Sequence, residues 1–509
     1  MKHTSILLIV AALLLGTFDA GAQNDQTTTF KAGFAETDIT PAIGMEQPGG
    51  YGKSYHTSFN DRCKVRAAVF DDGSKRVAIV GVDLLFITRD VVLAAREGIQ
   101  KSTGIDPEAV MIGASHSHSS GPIGMIDAEM FEDASPLVKD LVFNKTVTSD
   151  PGYTQELTHQ IIQAVVRADR LKTDAKLAVG VGHEDKVAFN RRLTMKNGLT
   201  YSHPGVGNPD IIDYAGPIDP DVGTVGVWDH DGRLLGTIVN FSCHATTNPG
   251  GISANWIWTM ERTIRRATGN AAVPVVFLQG ACGDITQVDN LATHANPSGR
   301  EWCEIVGGRV GAEAYKTLLL IQRGAGNNIP LDYTSRVWEI ERRKPAPENV
   351  EKAMQIVVQE PEVVGTTQWT FAKSTVILDE LIKKSPTAEV EVQVIQVGPI
   401  ALVSNPAEYF VEFGLDIKKG VNFPFTFVVE LANGCVGYVP TEEAFGPNGG
   451  GYETRLTEYS NLEITAGQQF AETGIRLANS LEPGPIPQPP APPEFKAPWS
   501  YGNVPPQLD

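Results

Sequence analysis

Ala109-Val110-Met111-Ile112 runs directly into Gly113-Ala114-Ser115-His116-Ser117-His118-Ser119-Ser120-Gly121-Pro122. An apolar run that breaks into small polar residues, glycine and proline reads as a strand that stops abruptly. In extended backbone, residues i and i+2 project to the same side. His116 and His118 are therefore expected to face one way at the tip of this strand. Upstream, residues 76–85 have the apolar density of another strand, with Asp83 near its end. Residues 89–102 place Val91, Val92, Ala95 and Ile99 at helical spacing. Strand, helix and strand at this length make a βαβ unit.

Four further apolar strands end in polar, glycine-rich tips. Residues 222–229 and 234–242 flank the turn Asp231-Gly232, and the second run leads to Cys243-His244. Residues 273–278 lead to Gly283-Asp284-Ile285-Thr286. Residues 388–396 and 400–403 flank Val397-Gly398-Pro399 and lead to Pro406-Ala407-Glu408. Residues 423–431 lead to Asn433-Gly434-Cys435-Val436-Gly437-Tyr438. Helical patterns lie at 154–168, 255–267, 301–320, 410–419 and 465–480, and residues 123–153 and 197–217 read as irregular. No internal repeat is visible. The expected fold is α/β, with mixed β-sheets and helices packed on their faces as a layered sandwich. Its metal site is expected at the C-terminal ends of the strands, where open α/β sheets bind ligands.

The chain of 509 residues, 42% hydrophobic and 20% charged, is ample for a large core. A net charge of −18 without a basic cluster argues against nucleic acid and against anionic lipid headgroups. It leaves room for a small-molecule or lipid substrate. Met1-Lys2-His3, an apolar run over residues 6–15 and Ala20-Gly21-Ala22 read as a signal peptide over residues 1–22. No later stretch approaches the ~18 apolar residues of a transmembrane segment. The expectation is a secreted or periplasmic protein with a main domain over residues 30–480. Residues 481–509 form a proline-rich tail of polyproline character. Cys63, Cys243, Cys282, Cys303 and Cys435 are scattered and odd in number, so free buried thiols are the default.

Two imidazoles, a carboxylate and a phenol at strand tips make a donor set suited to zinc, which takes His nitrogen and carboxylate oxygen at about 2.0–2.2 Å. Taken singly, each residue has a plainer use. His244 could be a hydrogen-bonded core residue. Glu408 could sit at a helix N-terminus, Asp284 could cap a turn, Tyr438 could simply pack, and Arg191-Arg192 could be a solvated pair.

Taken in order, the tips resemble the neutral/alkaline, non-lysosomal ceramidase family. Asp38-Ile39-Thr40-Pro41 looks like its Asp-Ile-Thr-Gly-Pro, and His116-Ser117-His118-Ser119 is similar to its His-Thr-His-Ser-Gly-Pro. Asn190-Arg191 looks like its Asn-Arg pair, and Cys243-His244-Ala245-Thr246 like its His-Pro-Thr segment. Gly283-Asp284-Ile285-Thr286 resembles Gly-Asp-Val-Ser-Pro, and Pro406-Ala407-Glu408 resembles Pro-Gly-Glu. Asn433 through Glu443, then Tyr452-Glu453, follow the family's Asn, Tyr, Thr-x-Glu-Glu and Tyr-Glu spacing.

The resemblance implies a zinc-dependent hydrolase of sphingolipid metabolism that cleaves the amide of ceramide with metal-activated water. It implies one Zn2+ per chain, held by His116, His244, Glu408 and Tyr438. His118, Arg191 and Tyr452 would line the site and hold the scissile carbonyl. Thr286 falls where the family carries a serine implicated in catalysis. The chain departs from the pattern in the extra serine after His118, in Thr286 and in Gln287. The family's C-terminal immunoglobulin-like domain, which helps many members act at lipid surfaces, is expected to be missing. Alternatives are another amide, an ester or lactone, a carbohydrate derivative with Trp256, Trp258 and Asn255 as its rim, or a non-catalytic binding protein of the same fold.

Overall fold

The structure, a computed structural model, describes residues 30–499, 501–502 and 504–509; the expected signal peptide lies outside them. Three stretches of chain each build a sheet by the same plan. In the first, Lys31–Asp38, Lys64–Asp71 and Arg76–Val82 pair antiparallel in turn. A helix, Arg89–Thr103, then returns the chain to Val110–Ala114, parallel to the third strand. The second unit repeats the plan with Lys176–His183, Asp221–Trp228, Leu234–Phe241, the helix Trp256–Thr268 and Val275–Gln279. The third uses Leu331–Glu341, Thr387–Val397, Ile400–Ser404, the helix Val411–Gly420 and Phe425–Val429. The repeat is one of topology and not of residues, which is why the sequence does not display it.

Parallel third and fourth strands are what position the site. A helical crossover makes both run the same way, so each unit delivers two strand ends to the same region. The strands read as near-continuous apolar runs because both faces are covered; Val110–Ala114 is buried throughout. Helices pack on the outer face of each sheet, and the inner faces meet one another. Two close approaches depend on glycine. A Cβ at Gly81 would lie 2.4 Å from the Phe277 carbonyl oxygen, and one at Gly223 would lie 2.6 Å from the Phe427 ring.

Two segments hold more structure than their sequence suggests. Within residues 123–153, Ser135 caps the helix Pro136–Phe143 by accepting from the Val138 N–H. Leu141 and Val142 of that helix pack with Val376 and Ile377 of the helix Thr366–Lys384 as a small satellite core. Within residues 197–217, Thr200–Ser202 and Ile211–Tyr214 flank Arg192–Met195 in a three-stranded sheet. All five cysteines are free thiols, four of them buried. The start of the proline-rich tail is fastened down: Gly484 N–H donates to the Gly398 carbonyl at 2.9 Å, and Gln396 Nε2 to that of Glu482 at 2.6 Å. Among the described residues no helix is long and apolar enough to cross a membrane.

Candidate metal centre and cavity

The first unit ends its last strand at Ala114, and His116 adopts a left-handed backbone with φ of 62°. His116 and His118 do converge, but through this turn and not through extended alternation. Backbone bonds from Ser115 N–H to the Val82 carbonyl, 2.8 Å, and from Ser117 N–H to that of Leu84, 2.9 Å, hold the turn against the neighbouring strand end. His116 Nδ1 lies 2.8 Å from the Leu85 carbonyl oxygen, which can only accept. The proton therefore sits on Nδ1, and Nε2 presents a lone pair. His118 Nε2 lies 3.3 Å from that atom.

The second unit contributes His244. Its carbonyl accepts from the Trp256 indole at 3.1 Å, and its Nε2 accepts from Arg191 Nη1 at 3.1 Å. The third unit contributes Glu408 and Tyr438, side by side in a short parallel pairing. Glu408 Oε2 lies 3.3 Å from His116 Nε2 and 3.2 Å from His244 Nε2. His116 Nε2 faces it with a lone pair, the lone pair of His244 Nε2 is engaged by Arg191 Nη1, and the buried Oε2 has no hydrogen-bond partner among the described residues. Lone pairs turned on one another repel unless a cation lies among them, so the donor set fits a metal ion. The ligand atoms of His116, His118 and His244 all lie within 4.8 Å of one another.

Arg191 is buried beside this cluster, not solvated. Its Nε donates to Glu453 Oε1 at 2.9 Å and its Nη2 to the Gly283 carbonyl at 2.7 Å. Its guanidinium lies 5.5 Å from the ring centre of Tyr438 and 5.2 Å from that of Tyr452, whose hydroxyls are 3.5 Å apart. Glu453 is the residue whose part the sequence concealed. It adjoins Tyr452, yet nothing in the sequence pairs it with an arginine 262 positions away. Thr286 Oγ1 donates to Gln287 Oε1 at 3.1 Å, and both residues face the cavity described below. Asp284 is structural: it accepts from Asn190 Nδ2 at 2.7 Å and from the first N–H of the helix Val411–Gly420 at 2.9 Å.

The electrostatics follow from burial and these partners. Burial, then the charges of Arg191 and His116, push His244 down to about 3. Burial and the neighbouring imidazoles hold His118 well below its usual range. Burial acts against the charged forms of Glu408 and His116, but their mutual attraction outweighs it, holding Glu408 low and His116 high. The field that favours a proton on His116 favours a metal cation equally. Burial, then the Glu408 charge, pushes the Tyr438 phenol well above its ordinary value.

His118, Arg191, His244, Glu408, Tyr438 and Tyr452 line a cavity of about 510 Å³, within the range of ligand sites. Leu85, Phe86, Ile123, Met125, Val288 and Trp302 add apolar wall to it, interspersed with polar Thr246, Asn248, Gln287, Ser374 and Glu458. Trp256 is not a rim residue: it is fully buried against Phe241 and Phe277. Trp258 lies elsewhere, under the Lys64 ammonium. The two serines after His118 are buried in the turn, where the Ser120 carbonyl contacts His56 Nε2 at 2.7 Å; neither lines the cavity.

No known family profile matches the chain. It is 24% identical to the neutral ceramidase of Pseudomonas aeruginosa over 548 aligned positions, spanning 94% of this chain and 77% of that protein. The crystal structure of neutral ceramidase from Pseudomonas aeruginosa superposes with a TM-score of 0.67 at 20% identity, covering 90% of this chain and 76% of that one. The chain has the neutral ceramidase fold. A ceramidase complexed with C2 superposes equally well, with a TM-score of 0.67 at 19% identity over 92% of this chain and 77% of that one. The likeness to neutral ceramidase thus runs through all three units. The layered α/β arrangement expected from the sequence is the one observed, and the donors lie at its strand ends.

Proposed function

We propose that this protein is an exported, zinc-dependent amidohydrolase that cleaves the N-acyl amide of ceramide to sphingosine and a fatty acid. The observation that carries the reading is the pairing of a lone-pair cluster (His116, His118, His244 and Glu408) with an apolar-walled cavity, in a chain similar to neutral ceramidase over nearly all its length. One Zn2+ would be held by His116, His244, Glu408 and Tyr438. When bound it would supply a Lewis acid and lower the pKa of water to about 7. Export rests on the signal peptide read in residues 1–22.

The remaining roles belong to the chain. Arg191, charged and fixed by Glu453 and the Gly283 carbonyl, has its guanidinium next to His244. With the Tyr452 hydroxyl it holds the carbonyl oxygen of the amide and stabilises the charge that grows there. Each such contact is worth about 3–4 kcal/mol of barrier. His118, kept neutral by burial, accepts a proton at Nε2 and passes it to the departing amine. The Thr286 hydroxyl orients the amide or a water beside it. The apolar walls receive the alkyl chains and keep bulk water from the reacting groups.

The test is metal analysis of the purified mature protein, with N-terminal sequencing and hydrolysis assays on a fluorogenic ceramide, esters and glycosides. The expected result is one zinc per chain, turnover of the ceramide, and loss of both on His116→Ala. Full activity in a metal-free preparation, or an active His116→Ala variant, sinks the reading.

A further inference from the structure

Most buried carboxylates in this protein are paired. Glu261 meets Lys64 and Arg66, Glu391 meets Arg96, Glu453 meets Arg191, and Glu430 accepts two backbone N–H groups. Among the described residues, only two buried carboxylate oxygens have no hydrogen-bond partner: Glu408 Oε2 and Glu458 Oε2. The first belongs to the metal centre. The second has no metal donors around it, and no Lys, Arg or His of the described residues lies within ion-pair distance of its carboxyl. Glu458 is 9% exposed and lines the same cavity as the histidine cluster.

A second unpartnered atom lines that cavity. Ser374, 1% exposed, has a buried hydroxyl with no partner among the described residues. Both positions are braced. The neighbouring Lys373 ammonium donates to the Tyr51 and Lys145 carbonyls, tying the helix Thr366–Lys384 to the glycine-rich loop at the cavity wall. The Glu458 carbonyl accepts from Asn461 Nδ2 at 2.8 Å. Next along the chain, the Tyr459 carbonyl accepts from the Tyr438 N–H at 2.8 Å.

An unmet buried polar group costs about 1–3 kcal/mol, and a charged one more. Two such groups lining one cavity are explained when a ligand supplies the missing bonds. A carboxyl calls for a donor, and a serine hydroxyl can give or accept. We infer that Glu458 and Ser374 form a subsite that grips the hydroxyl-bearing head of an N-acyl amino alcohol, while the apolar walls take its chains. This rests on the amidohydrolase reading and sharpens it. The enzyme would select amides with hydroxyls near the amide nitrogen over plain N-alkyl amides of equal length. A site built to hydrogen-bond a hydroxyl discriminates strongly against its absence, and a bond to a charged acceptor corresponds to roughly 10- to 100-fold.

The experiment compares kcat/KM for a fluorogenic N-acyl amino diol and its analogue lacking both hydroxyls. Wild type, Glu458→Gln, Glu458→Leu and Ser374→Ala are each measured. Wild type is expected to favour the diol roughly 10- to 100-fold, Glu458→Leu to bring the ratio near one, and the other two to give intermediate ratios. A ratio unchanged in Glu458→Leu, or a wild type without preference, overturns the subsite. Wild type turning over neither amide would defeat the amidohydrolase reading. The subsite would then be judged by calorimetry with the free amino diol. A loss of affinity of tenfold or more in Glu458→Gln supports it, and equal affinities overturn it.

Discussion

Arg191→Met keeps the length of the side chain and removes its charge from a fully enclosed position. Arg191 is 3% exposed and the Glu453 side chain 0%. Losing the guanidinium leaves Glu453 Oε1 without its 2.9 Å partner, while Oε2 keeps the Ser202 hydroxyl at 2.6 Å. Breaking a buried ion pair in this way costs about 3–5 kcal/mol. The Gly283 carbonyl also loses its 2.7 Å donor, which adds roughly 1 kcal/mol. Most of the penalty is the stranded carboxylate, so removing that charge too should recover part of it. Arg191→Met/Glu453→Gln is expected to be more stable than the sum of the single variants by about 2 kcal/mol. Urea unfolding followed by tryptophan fluorescence measures this, with buried Trp256 as a reporter beside the site. Activity should behave differently. Both variants lacking Arg191 should lose about 10²–10³ in kcat/KM, with no rescue in the double variant. A cost below about 1 kcal/mol for Arg191→Met, or strict additivity of the pair, refutes the account of a buried, mutually dependent couple.

Three further outcomes are expected. Burial pushes the Glu430 carboxyl up to about 8, against 4.5 in an unfolded chain. Between those values the unfolded state has released a proton that the native state keeps. Stability of chelator-treated protein should therefore fall with rising pH at up to about 1.4 kcal/mol per unit. Glu430→Gln should flatten that slope in urea titrations at pH 5, 6.5 and 8; an identical slope refutes it. Gly49 has φ of 96°, and a Cβ there would lie 2.3 Å from His118 Nδ1. Gly49→Ala is therefore expected to lower kcat/KM by roughly 10²-fold through displacement of the imidazole, with zinc content retained; full activity contradicts this. Thr286→Ser keeps the hydroxyl that meets Gln287 and should stay within a few-fold of wild type, whereas Thr286→Val should lose at least about tenfold in kcat. Equal activities would remove the hydroxyl from the mechanism.

The strands and helices were legible because both faces of the central strands are covered, so apolar runs mark strands and amphipathic runs mark helices. The placing of His116, His244, Glu408 and Tyr438 at strand tips was legible for the same reason. Their meeting was not, since it depends on how three sheets dock. The left-handed turn at His116 was hidden because histidine does not advertise a positive φ as glycine does. The helix Pro136–Phe143 is short and sits among polar residues, so its cap at Ser135 was masked by its surroundings. Trp256 looked like a platform because tryptophans gather at binding rims. Its neighbours Phe241 and Phe277, distant in sequence, enclose it instead. The partners of Arg191 and the isolation of Glu458 are facts of three-dimensional proximity with no local pattern.

The threefold plan also bears on the order in which the site can come into being. His116 leaves the ribosome about 290 residues before Glu408. The strand pairings inside each unit close over far shorter spans, and shorter closures form sooner. A chain stalled after the second unit owns every histidine of the cluster but neither the carboxylate nor the phenol. On the proposed reading, tight metal uptake would be the last event of maturation, registering that all three units have docked. During refolding, the rate of metal capture should match the slowest docking step and be independent of zinc concentration once zinc is in excess.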